Sequence, residues 1–100
     1  MIDKIIDHIE ASIHLSDGRN IKGSFDPSHK TFSFNEPYDI SNRLKLDRVN
    51  EDGSVIISYI FDTDYLPRRF PLDKERPLII KDYLHIEEKD EYVEIVIRLI

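Results

Sequence analysis

The chain has 100 residues, with 14 Lys+Arg against 20 Asp+Glu and a formal net charge of -6. That length makes one domain with one hydrophobic core, and the acidic balance argues against a bulk basic footprint for nucleic acid or an anionic membrane. The absence of cysteine excludes a disulfide framework, a zinc–thiolate site and a thiol nucleophile.

The apolar residues are skewed toward 16 Ile, 8 Leu and 4 Val, with Ala11 the single alanine. Ile and Val suit a pleated surface and Ala suits helices, so the skew favours strands. No apolar run approaches the roughly 18 residues of a membrane span. The start Met1-Ile2-Asp3-Lys4 lacks the apolar stretch of a signal peptide, so the cytoplasm is the expected compartment.

Ile2, Ile5, Ile6 and Ile9 recur at helical spacing, which predicts a short N-terminal helix that must dock to persist. The period then changes. Ile9, Ala11, Ile13 and Leu15 alternate with Glu10, Ser12, His14 and Ser16, the signature of a half-buried strand. A three-residue loop Ser16-Asp17-Gly18, with Gly18 left-handed, sets Ile13 opposite Ile21, Ala11 opposite Gly23 and Ile9 opposite Phe25. A turn at Asp26-Pro27-Ser28-His29 follows. Crossing it places Phe32 opposite Gly23 and Phe34 opposite Ile21, an aromatic ring covering strand glycine. Asn35 to Asp39 ends this meander.

Leu44, Leu46 and Val49 lead into the turn cluster Asn50-Glu51-Asp52-Gly53, and Val55 to Phe61 reads as a central strand. Residues 62–77 carry Pro67, Pro71 and Pro77 with several arginines, which predicts a long Pro/Arg-rich loop. Leu78 to Glu87 and Tyr92 to Ile100 form a closing hairpin across Glu88-Lys89-Asp90. The expected fold is therefore mostly β, a single domain over 1–100 with six to seven antiparallel strands in hairpins. An α+β sheet with a helix across one face, or a small barrel, are the alternatives.

Catalytic and metal signatures are missing. His8, His14, His29 and His85 show no paired ligand spacing. Asp62 and Asp64 resemble the start of a calcium loop, but Pro67 stands where its glycine belongs and Asp73 where its glutamate belongs. Three glycines cannot build a phosphate-cradling loop. No enzyme activity, metal or cofactor is expected.

Two groups of side chains are candidates for contact with a partner. Tyr65, Leu66, Arg68, Arg69 and Phe70 are candidate anchors, Tyr and Arg being types enriched at interface hot spots. Glu87, Glu88, Asp90 and Glu91 form an acidic cluster able to steer toward a basic partner. The apolar strand ending at Ile100, with Val96 and Ile100 on its other face, is a candidate edge for a homodimer. Arg43, Lys45, Arg48, Arg68 and Arg69 leave a local nucleic-acid patch as the alternative.

The stretch from Ile13 to Gly23, with Asp17-Gly18-Arg19 at its turn, resembles the first half of the Sm-like RNA-binding signature. The resemblance implies an N-terminal helix and a strongly bent small barrel. It covers about a tenth of the chain and ends after Gly23, where Phe25-Asp26 arrives early and Lys30 stands in place of an asparagine. No RNA-contacting residue carries over. The expectation is a small acidic protein-binding module of the inhibitor, immunity or regulatory type, with a small-barrel nucleic-acid binder as the alternative.

Overall fold

The computed structural model describes residues 9–100. Nine strands follow one another: β1 (Ile9–Leu15), β2 (Asn20–Lys22), β3 (Ser24–Asp26), β4 (Thr31–Ser33), β5 (Leu44–Val49), β6 (Val55–Tyr59), β7 (Arg68–Leu72), β8 (Leu78–Ile86) and β9 (Lys89–Leu99). The mostly β expectation holds, and no helix occurs among the described residues. The helix expected over residues 2–9 lies outside them, apart from Ile9, which begins β1.

The strands form a sheet of order β2-β1-β9-β8 and a sheet of order β3-β4-β5-β6-β7, all paired antiparallel. Every neighbouring pair is consecutive in sequence except β1 and β9. The fold is thus an up-and-down meander, folded over on itself and closed by the first strand pairing with the last. The count exceeds the expected six or seven because Gly23 interrupts one bent strand into β2 and β3, and because β7 forms.

The first hairpin has the register that alternation predicts, with Ile13 opposite Ile21. Gly18 sits at φ +94°, a conformation glycine reaches without steric penalty. Gly23 carries the chain from one sheet to the other while its N–H donates to the Ala11 carbonyl at 2.8 Å. The next pairing differs from expectation by two residues: Phe25, rather than Gly23, faces Phe32. Phe34 then lies over Gly23, so close that an added Cβ would sit 2.5 Å from its ring. Phe25 accordingly ladders with Phe32, their rings 4.9 Å apart, and not with Ile9.

The stretch read as a 62–77 loop contains β7, which pairs along Val55–Tyr59. Pro71 is tolerated because β7 ends its sheet and pairs on one side only. The C-terminal strand is not an open edge. β9 pairs with β1 over Val93–Leu99 and with β8 over Lys89–Ile97, so its apolar stretch from Val93 to Ile97 is flanked on both sides and offers no free ladder for a second copy. It became central because Val93, Ile95, Ile97 and Leu99 on one face meet both the apolar face of β1 and that of β8.

Both sheets bury one common core. Ile13, Phe32, Leu44, Val55, Ile57, Tyr59, Val93, Ile95 and Ile97 are fully inaccessible. Each aliphatic side chain so buried contributes about 1.5–3 kcal/mol relative to exposure. No buried side-chain nitrogen or oxygen among the described residues lacks a hydrogen-bond partner.

Candidate protein-interaction site

Strand register decides which connections lie together. β1 ends with Leu15 facing Val93, near the start of β9, so the 16–19 turn neighbours the β8–β9 turn. Tyr38 of the 34–43 loop donates its hydroxyl to Glu91 at 2.7 Å. The N–H of Asp62, at the start of the 60–67 loop, donates to Asp82 on β8 at 3.0 Å. Both groups of sequence candidates therefore lie toward the same end of the fold, with the β6–β7 loop meeting β8 at Asp82 and the hairpin tip four residues further on, after Ile86.

Their situations differ. Tyr65 and Leu66 stand out from the loop at 95% and 77% exposure, side by side and before Pro67. Arg68 lies 5.2 Å over the Phe61 ring and pairs with Asp64 at 3.4 Å. Arg69 pairs with Asp47 at 3.0 Å, where β5 bulges between Leu46 and Arg48. Phe70 packs half-buried against the core, with its ring 6.2 Å from that of Phe61. Phe70 is thus a packing residue and not an exposed anchor.

The acidic group splits in the same way. Glu91 is held inside the molecule by Tyr38 and by Arg19, whose guanidinium reaches it at 3.5 Å and Asp17 at 2.8 Å. The Glu91 carboxylate accepting its proton, aided by burial, pushes the Tyr38 phenol pKa above its ordinary value. Asp90 meets His85 across the hairpin at 3.1 Å. Glu87 and Glu88 make no ion pair or side-chain hydrogen bond among the described residues. Both occupy positive φ, 50° and 68°, as the two loop residues between the Ile86–Lys89 pair. This is a type I′ turn, normally built from Asn and Gly, and non-glycine residues there carry about 1–2 kcal/mol of strain each. The expected Glu88-Lys89-Asp90 turn is one residue away from the true one.

The carboxylates Asp62 and Asp64 face opposite charges and not each other. Arg43 takes Asp62 at 2.9 Å and Arg68 takes Asp64. No group of three His, Asp or Glu side chains able to hold a metal ion occurs among the described residues.

The sequence reading missed one surface. The outward face of β8 and β9 carries Tyr83, 62% exposed, its ring tilted against that of Tyr92 with centroids 5.3 Å apart, and Ile79 beside Val96 further along. The signal was present in the alternation of Ile79, Lys81, Tyr83 and His85. No protein-family model, curated protein or solved structure matches the chain.

Proposed function

We propose that this protein is a small non-enzymatic protein-binding module of the inhibitor, immunity or regulatory type. Its contact surface is the end that carries the β6–β7 loop and the β8–β9 tip. The observation that carries this reading is the pair Tyr65 and Leu66, adjacent in one loop and the most exposed of the large apolar side chains among the described residues. An aromatic and a leucine side by side on one loop make the desolvated centre of an interface, and Glu87 and Glu88 toward the same end supply a charged rim. That rim favours a basic partner.

Of the basic residues that favour a nucleic-acid reading, Arg43, Arg68 and Arg69 each already face a carboxylate, which leaves them less able to neutralise phosphates.

The test is capture from a lysate of the source organism with the intact chain as bait, beside a Tyr65→Ser/Leu66→Ser chain of equal melting temperature. The reading predicts a stoichiometric partner retained by the native chain and lost by the double variant. A partner retained equally by both removes this end from the interface. Absence of any stoichiometric partner removes the reading.

A further inference from the structure

We propose that the line between β7 and β8 is where this fold opens, and that Asp82 is the latch that holds it shut. β7 and β8 end their respective sheets and share no ladder, although the Asp73–Arg76 turn connects them. Pro71, opposite Ile56 in the β6–β7 pair, has no N–H to donate. On β8 the Tyr83 N–H donates to the Asp82 Oδ1 at 2.8 Å and so is already occupied. Each strand is thus short of one free backbone donor.

Side chains do the joining instead. Asp82 Oδ2 accepts the Tyr59 hydroxyl at 2.7 Å and the Asp62 N–H at 3.0 Å. These are the only side-chain hydrogen bonds that tie the β6–β7 hairpin and its loop to β8 among the described residues. The Tyr59 ring is fully buried, so its hydroxyl has no water to replace Asp82. The apolar groups near this line, Phe61, Phe70, Leu78 and Ile86, are only partly buried. The opposite closure is built differently, from a continuous β1–β9 ladder between Ile9–Leu99 and Leu15–Val93. Local opening follows the line with few backbone bonds and thin apolar cover. The β3–β7 sheet, its own ladders kept, then parts from β8 about the Asp73–Arg76 turn, and the buried face of β8 around Ile80 becomes accessible.

Because the native chain has no cysteine, single introduced thiols report opening without background. Ile80→Cys places a probe on β8 behind the line, and Ile13→Cys places a control on β1, both positions being buried. The proposal predicts that the Ile80 site is labelled by a thiol reagent faster than the Ile13 site, with a weaker urea dependence, because opening exposes less surface than unfolding. Asp82→Ala in the Ile80→Cys chain raises the labelling rate about tenfold or more and keeps the weak urea dependence. Tyr59→Phe removes one latch bond only and moves the rate the same way by less, which keeps the test valid if Asp82→Ala does not fold. Equal rates and equal urea dependence at the two sites would show that the line opens only when the whole fold does. A labelling rate at the Ile80 site unchanged by either substitution would show that Asp82 is not the latch. Either result overturns the proposal.

Discussion

The hairpin tip offers the sharpest quantitative test. Glu87 and Glu88 sit at φ 50° and 68°, where a side chain crowds the following carbonyl. The strain is about 1–2 kcal/mol per residue. Replacing Glu88 by Gly removes that strain but raises the entropy of the unfolded chain by roughly 0.5–1 kcal/mol. Asn at position 87 tolerates the left-handed region, so it recovers part of the strain without that loss. The double substitution Glu87→Asn/Glu88→Gly should therefore stabilise the fold by about 1–2 kcal/mol. For a domain of this size that raises the melting temperature by roughly 5–10 °C. Thermal denaturation followed by circular dichroism reads it directly.

A control separates backbone from charge. Glu87→Gln/Glu88→Gln relieves repulsion within the run Glu87, Glu88, Asp90 and Glu91 but leaves both backbones strained. It should shift the melting temperature by a small fraction of that gain, since such surface charges are worth little. If the Asn/Gly chain melts no higher than the native one, the turn is not strained as described. If the Gln/Gln chain gains as much, repulsion and not φ is the cause.

Three further predictions follow from particular contacts. Gly23→Ala drives a Cβ to 2.5 Å from the Phe34 ring and should destabilise by about 1–3 kcal/mol; combining it with Phe34→Leu should recover part of the loss, read as coupling in a double-mutant cycle by urea denaturation. Tyr38→Phe deprives Glu91 of its donor and should cost about 1–2 kcal/mol with no change in overall fold, read by the same denaturation. Alkaline pH should weaken the fold, because the Tyr38 and Tyr59 phenols are both raised above their ordinary 10.0. For Tyr38 the cause is chiefly the bond to Glu91, and for Tyr59 chiefly burial, then the bond to Asp82. A raised folded-state pKa gives stability that is fully present below pH about 10 and is lost as pH climbs above it. Urea midpoints measured from pH 8 to 12 should fall above 10, and the fall should be shallower in Tyr59→Phe.

Local patterning made the strands legible, and non-local pairing was where the reading stopped. Alternation along Ile9–Leu15, with a glycine able to turn left-handed, set the first hairpin register. The second hairpin missed by two residues for a definite reason. Slipping Phe32 from Gly23 to Phe25 leaves every side chain on its original face, so periodicity cannot separate the two registers. The turn chemistry separates them: Asp26 caps the Ser28 N–H, Lys30 takes φ 59°, and strand pairing begins at Asp26 and Thr31.

β7 was hidden because three prolines read as a breaker, yet an edge strand needs donors on one side only, and Pro71 lies on such a strand. The β8–β9 turn gave no signal because Glu-Glu is an unfavourable type I′ pair. That β9 lies between β1 and β8 depends on contacts spanning nearly the whole chain, which no local pattern encodes. For the interaction site, exposure of Tyr65 and Leu66 at a loop tip was readable from the sequence. The internal use of Glu91, Arg68 and Phe70 was not, because Tyr38, Phe61 and the core reach them only in the folded chain.

The central claim is that Tyr65 and Leu66 anchor a protein partner. Calorimetric titration of the purified partner into the native chain and into Tyr65→Ser/Leu66→Ser tests it most directly. Two anchors at an interface centre are worth about 2 kcal/mol each, so the account predicts an affinity loss of roughly a thousandfold. An affinity unchanged within a factor of about three, under 1 kcal/mol, would contradict it.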